Sequence, residues 1–165
     1  MGRLIVIDGL DGSGKTTQSE RLYSELVAQG KSVRLISFPD YKSKSSTLVK
    51  MYLGGEFGTD PESVNAYAAS TFYAVDRYAS FKCDWKEFYE NPDSVVITNR
   101  YTTSNAVHQL EKIDREKWDE YLSWLFDFEY NKLGIPSPDL VMFLEMKPDI
   151  ALELVKKRSA ETGQK

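Results

Sequence analysis

The most constraining stretch of this chain is Gly9-Leu10-Asp11-Gly12-Ser13-Gly14-Lys15-Thr16-Thr17, which follows the apolar run Leu4-Ile5-Val6-Ile7 and precedes a helical pattern. Gly9, Gly14, Lys15 and Thr16 satisfy G-x-x-x-x-G-K-[ST], with the strand before and helix after that a P-loop requires. Glycines let the backbone curl so that successive amides converge on one point, where the following helix N-terminus adds partial positive charge. A polyphosphate fits there. Lys15 would reach the β- and γ-phosphates, and the Thr16 hydroxyl would complete the coordination of a Mg²⁺ held by phosphate oxygens. The competing explanation is a Gly-rich turn beside an ordinary surface lysine. Chance matches to the motif are on the order of one per cent, given Gly at roughly 7% of residues.

The chain has 165 residues, 41% of them hydrophobic. That suits a single domain over residues 1–165, large enough to bury about 70% of its unfolded surface. A net charge of -4 argues against a broad basic face for nucleic acid. The lone Cys83 cannot form an internal disulfide, and the N-terminus begins directly with a strand rather than a signal peptide or spanning segment. The expectation is a reducing, cytoplasmic setting without a membrane partner.

Residues 15–29 carry Leu22, Tyr23, Leu26 and Val27 at helical spacing, and Gly30 supplies the stop. Residues 33–38 read as a second strand, ending at Phe38-Pro39-Asp40-Tyr41, and a polar loop covers 42–46. Asp60-Pro61-Glu62 predicts the start of one long helix reaching about Lys82, with a buried stripe of Val64, Tyr67, Ala68, Thr71, Phe72, Val75 and Tyr78. On its other face Ala66, Ala69, Ser70, Tyr73 and Arg77 align, so a ring and a guanidinium stand beyond small residues that leave room for a planar ligand; the alternative is a solvated face with Arg77 paired to a neighbouring carboxylate. Residues 94–98 form a third strand ending at Asn99-Arg100-Tyr101. Ser104 is the expected N-cap of a short helix in which Asn105, His108 and Gln109 share a face. Asp114 is expected to cap a helix running to Leu133, with Trp118, Tyr121, Leu122 and Leu125 as core. Residues 140–144 read as a fourth, buried strand, and Pro148 opens a helix carrying Ala151, Leu152 and Val155. Strands alternating with helices predict an α/β fold: an open parallel sheet with helices on both faces.

Taken together, the P-loop, Phe38-Pro39-Asp40-Tyr41, Tyr73-Ala74-Val75-Asp76-Arg77 and Asn99-Arg100-Tyr101-Thr102-Thr103-Ser104-Asn105 resemble thymidylate kinase in order and interval, from Leu4 to about Arg158. The resemblance implies a P-loop NTPase-type sheet and transfer of the ATP γ-phosphoryl to dTMP with Mg²⁺, with ATP on residues 9–17. It implies that Asp11 contacts the deoxyribose 3'-hydroxyl and, with Thr16, the metal; that Tyr41 and Arg100 hold the acceptor phosphate; and that Tyr73 stacks on thymine. Arg77 and Asn105 would read the base, with Phe38, Ser104 and His108 also in the substrate site and Lys15, Asp11, Arg100 and Arg158 as the catalytic set. It also implies a homodimer through helices, the long helix from Asp60 offering a surface.

Three positions depart from the family pattern. Asn99 stands where Asp is usual, which removes a carboxylate that could bind a metal-bound water or accept a proton, and leaves Asp11 for part of the metal-side role. Phosphoryl transfer depends mainly on positioning and charge stabilisation. His108 replaces a tyrosine that screens against a ribose 2'-hydroxyl, so sugar discrimination is expected to loosen. Gly12 replaces the P-loop arginine of some members, as in those that use a lid arginine instead. Arg158 lies at the start of the expected lid, and the residues that complete that lid in the family, with its last strand and final helix, are not in this sequence. The rival readings are another nucleoside monophosphate or deoxynucleoside kinase, and a nucleotide-binding module with lost catalysis. A GTP-hydrolysing switch is disfavoured because Asn131-Lys132-Leu133-Gly134 lacks the carboxylate that guanine recognition needs.

Overall fold

A computed structural model describes residues 1–147, 149–151 and 153–154 of the chain. Its strands are β1 (Arg3–Gly9), β2 (Ser32–Ser37), β3 (Ser94–Asn99) and β4 (Leu140–Leu144). They form one sheet in the order β2-β3-β1-β4, with every pairing parallel. Parallel neighbours need long crossovers, which the helices supply. α1 (Lys15–Ala28) joins β1 to β2. α2 (Thr47–Leu53), α3 (Ala66–Ser80) and α4 (Lys86–Glu90) lie between β2 and β3, and α5 (Thr102–Leu110) and α6 (Trp118–Phe126) between β3 and β4.

The alternation of β1 divides the core between two faces. Leu4 and Val6 pack in one cluster with Phe81, Trp85 and Tyr89 from the end of α3 through α4. Ile7 instead shares a groove with Leu22 of α1 and with Met142 and Leu144 of β4. Helices therefore cover both faces, as expected of parallel strands. In register, Ile7 lies opposite Asn99, Ser37 opposite Asn99 and Gly9 opposite Leu144, so the strands end together along one rim. That rim is where an open α/β sheet offers its ligand crevice.

Several expectations change at this level. The segment from Asp60 is not one helix: Asp60 caps only the 3₁₀ turn Pro61–Ser63, Val64 is extended, and α3 begins afresh with the Asn65 side chain accepting from the Ala68 amide. The chain continues beyond Ser80 as the π turn Phe81–Trp85 before α4. The buried face of α3 is the one carrying Ala66, Ala69, Ser70, Ala74 and Arg77, whereas Tyr67, Val75 and Tyr78 of the expected core stripe are exposed. Small residues on the inner face let α3 approach its neighbours closely, while Tyr67, though partly exposed, packs edge to face on Tyr121 and Trp124. α2, unsignalled by the polar loop before it, follows the 3₁₀ turn Lys44–Ser46.

Ser104 is not an N-cap. α5 starts at Thr102, placing the Ser104 hydroxyl inside the first turn and free to bond elsewhere. Asp114 precedes a 3₁₀ turn, Arg115–Lys117, without a side-chain cap, and α6 then passes into the π turn Asp127–Lys132. In the stripe of α6, Tyr121 and Leu125 are buried while Trp118 and Leu122 are only half-buried. β4 occupies the sheet edge, and Leu140, Val141 and Phe143 are exposed rather than buried. Asp149, Ile150 and Ala151 are helical as expected, but Pro148, Leu152 and Val155 lie outside the described residues.

The two candidate caps give a direct test. Asn65→Ala should cost about 1 kcal/mol of stability, and Asp60→Ala, which frees one 3₁₀ turn, should cost less. Urea unfolding of the two variants checks this, and a larger loss for Asp60→Ala would contradict the helix start at Ala66.

Candidate functional site

β1 delivers the chain into the loop through Gly9, whose φ of 146° and whose contacts exclude a side chain: an added Cβ would lie 2.6 Å from the Leu144 carbonyl and 2.8 Å from Ser13 Oγ. Gly14 adopts φ 85° as the residue before α1, and space is open around it. Lys15 is buried, its Nζ donating to the carbonyls of Gly9 at 3.0 Å and Leu10 at 2.7 Å, with the Asp11 carboxylate at 3.7 Å. The cation is thus tethered across its own loop.

This loop forms one wall of a cleft of about 1040 Å³. The cleft brings together Asp11, Gly12, Gly14, Lys15, Thr16 and Thr17 with Phe38, Tyr41, Tyr73, Arg77, Arg100, Ser104, Asn105 and His108. Gly9, Leu10 and Ser13 shape the loop without lining the cleft, and Arg158 lies outside the described residues. The side chains come from β1, β2 and β3 ends and from one face each of α3 and α5.

Arg100 leaves β3 at φ 67°, its amide donating to the Ile7 carbonyl at 3.0 Å. Its guanidinium pairs with the Asp11 carboxylate, donates to Ser104 Oγ at 3.0 Å, and stands 3.0 Å from His108 Nε2. Arginine only donates, so His108 Nε2 must accept and the ring is neutral, with its proton on Nδ1. Partial desolvation of the ring, and secondarily the Arg100 charge, holds the His108 pKa below its usual value, although the residue stays exposed to solvent. Ser104 Oγ passes the connection on by donating to Asp8 Oδ1 at 2.6 Å, and Thr103 donates to Asp8 Oδ2 at 2.6 Å. Asp8, also bonded to the Gly9 amide at 2.9 Å, therefore locks the start of α5 to the end of β1.

The other end of the cleft is more enclosed. Arg77 is 2% exposed, and its Nε and one terminal nitrogen donate to Glu129 at 2.6 and 2.5 Å. Burial opposes the guanidinium charge, but Glu129's attraction and hydrogen bonds outweigh it and raise the Arg77 pKa. Asn105 Nδ2 is fixed by the Ser70 carbonyl at 3.2 Å and Glu129 at 3.5 Å, which leaves its buried Oδ1 without a partner. The Gln109 Oε1 is likewise buried and unpartnered. Tyr73 meets Tyr52 edge to face at 6.3 Å, and burial pushes its hydroxyl up to about 12, so the ring is neutral. The two arginines and the loop thus assemble a cleft with a positively charged, phosphate-sized rim and an enclosed end offering donors and acceptors to a flat polar ring.

The thymidylate kinase family model matches residues 7–165. The chain belongs to the thymidylate kinase family. Thymidylate kinase of Mycobacterium tuberculosis is 32% identical over 94% of this chain and 72% of its own length. The human thymidylate kinase is 27% identical over 88% of this chain and 62% of its own, and a probable thymidylate kinase of Thermococcus gammatolerans is 30% identical over 98% and 74%. The solved thymidylate kinase of Candida albicans superimposes with a TM-score of 0.67 at 24% identity, covering 98% of this chain and 77% of that one, which supports the fold. As a member, the chain is a nucleoside monophosphate kinase that phosphorylates dTMP.

Sequence reasoning missed Asp8 and Glu129, and left Gln109 without a role. Asp8 sits one residue before the motif, and its signal was an acid closing an otherwise apolar strand. Glu129 carried none, since a charged residue in a helical run is ordinarily exposed.

The neutral His108 gives a pH prediction. Unfolded, the ring takes its proton near 6.5; folded, it does so at lower pH, so protons favour unfolding as pH falls below about 6.5. Wild-type stability should therefore drop more steeply than that of His108→Gln between near-neutral and mildly acidic buffer. Parallel declines in urea midpoints would contradict the neutral assignment.

Proposed function

We propose that ATP lays its β- and γ-phosphates over residues 9–17 while dTMP fills the rest of the cleft, phosphate toward Arg100 and thymine toward Arg77, within a single kinase domain. The observation that carries this orientation is the pair of polar edges at the enclosed end: Arg77, a donor, beside the unpartnered acceptor Asn105 Oδ1. Thymine presents O4 as acceptor and N3–H as donor, the complement of that pair, whereas cytosine presents an amine and a bare N3. A buried hydrogen bond left unmade costs roughly 1 to 3 kcal/mol, or about tenfold to hundredfold in discrimination. Tyr73 offers its ring to the base, Phe38 supplies an apolar wall, and Gln109 adds an acceptor. Tyr41 and Arg100 take the acceptor phosphate, Ser104 steadies Arg100, and Asp11 and His108 stand beside the sugar.

An oxygen of the dTMP phosphate attacks the ATP γ-phosphorus, the bond to the β–γ bridging oxygen breaks, and ADP leaves with that electron pair. A phosphate monoester has a second pKa of about 6, so the attacking oxygen is already deprotonated near neutral pH. No protein base is required, and the neutral Asn99 is compatible with turnover. Lys15 and Arg100 meet the negative charge of the donor and acceptor phosphates; Arg158, outside the described residues, is proposed to meet the transferred group.

The donor set beside the loop suits Mg²⁺. Thr16 Oγ1 lies 3.1 Å from Asn99 Nδ2, the Asn99 Oδ1 is buried without a partner, and Asp11 adds a carboxylate. Among the described residues no group of three or more His, Cys, Asp or Glu side chains forms a metal cage. An incomplete, all-oxygen set is what Mg²⁺ shared with phosphates and water needs. Thr16 and Asp11 would hold it, and when bound it would neutralise charge on the β- and γ-phosphates.

Tyr67, Val75 and Tyr78 on the outer face of α3 support a homodimer through that helix. No helix among the described residues is long and apolar enough to cross a membrane, and the reading places the enzyme in the cytoplasm.

Coupled measurement of ADP release with Mg²⁺ and ATP should show turnover with dTMP well above that with dCMP or UMP. Asn105→Ala should raise the KM for dTMP by about tenfold to hundredfold and leave that for ATP unchanged. An unchanged dTMP KM would remove Asn105 from base recognition.

A further inference from the structure

The cleft contains two arginine–carboxylate pairs that differ in one respect: how readily the carboxylate can leave. Asp11, the partner of Arg100, is 71% exposed, so water can replace its contact when a phosphate arrives. Glu129, the partner of Arg77, is 0% exposed. Its carboxylate also accepts from Thr102 Oγ1 at 3.0 Å and from Asn105 Nδ2 at 3.5 Å, so residues of α3 and α5 converge on it from two sides. The π turn Asp127–Lys132 widens the end of α6 where this residue points inward. Such turns recur at functional sites. An uncompensated guanidinium is well shaped to clasp phosphate through two parallel hydrogen bonds. Without Glu129, the enclosed end would be as good an anion site as the rim.

We propose that Glu129 is a positioning residue that sets which way round the nucleotide lies. By neutralising Arg77 permanently, it turns that end into a receptor for an uncharged base and confines phosphate to Lys15 and Arg100. Using Nε and one terminal nitrogen of Arg77, it leaves the other terminal nitrogen for the base. The inference rests on the orientation of dTMP given above.

The test is calorimetric titration of the purified chain with thymidine, which lacks the phosphate, in the absence and presence of inorganic phosphate. In the wild type, thymidine should bind and phosphate should not displace it. Displacement there would overturn the inference even if no variant folds. In Glu129→Gln, thymidine affinity should fall about tenfold or more, from the disturbed hydrogen bonding, and phosphate should now compete with thymidine. The double variant Arg77→Gln/Glu129→Gln should lose that competition. A folded Glu129→Gln that binds thymidine weakly without phosphate competition would mean that Glu129 only braces the fold, and would overturn the inference. Failure of thymidine to bind the wild type would instead overturn the dTMP orientation itself.

Discussion

The parallel alignment of β1 with β3, with Ile7 opposite Asn99, is the constraint on which the cleft depends. It lets the P-loop and Arg100 leave the sheet at the same height, and the Arg100 amide closes the gap by bonding to the Ile7 carbonyl. A slip of one residue would invert the side-chain faces and separate Arg100 from Asp11. The turn that follows puts a non-glycine residue at φ 67°, a conformation costing of order 1–3 kcal/mol. From that geometry the Arg100 guanidinium meets Asp11, Ser104 and His108. Asp8 completes the connection by tying the first turn of α5 to β1, so the helix that carries Ser104, Asn105 and His108 is placed by the same strand that carries the loop.

Electrostatics then divide the cleft. At the rim, Lys15 and Arg100 share a solvent-facing aspartate, and their charge remains available to an incoming anion. At the enclosed end the charge of Arg77 is cancelled by the buried Glu129, which takes Nε and one terminal nitrogen and leaves the other terminal nitrogen facing the cleft. Removing one partner of such a pair is costly, commonly 3–5 kcal/mol, because the other charge is left stranded. The effect of the pair on the space beside it is a directed donor without net charge, flanked by a neutral tyrosine ring and an amide acceptor. On the proposed orientation of dTMP, that neutrality is what would make this end a site for the base and not for phosphate.

The residues that sequence made legible are those whose chemistry needs a local pattern. The P-loop is contiguous, and the elements around Phe38, Arg77 and Arg100 each lie at or near a strand end or on one helix face, so the structure gathers them as expected. What escaped was decided by tertiary packing. Small residues on α3 were legible as room for a ligand, but not as the inner face of the helix, because Tyr67, Val75 and Tyr78 offered a more apolar alternative. Asp60 reads as a cap as well as Asn65 does, and only the extended Val64 between them settles where α3 starts. Glu129 was invisible because its partner lies 52 positions away. Ser104 looked like a helix cap because serine so often is one, yet here its hydroxyl bridges Arg100 and Asp8.

The most direct test of this account is a crystal structure of the chain with dTMP bound. The account predicts the 5'-phosphate within hydrogen-bonding reach of Arg100, the thymine O4 at Arg77 and N3–H at Asn105 Oδ1, with the Arg77–Glu129 pair unbroken. A nucleotide lying the other way round, with its phosphate on Arg77, would contradict it.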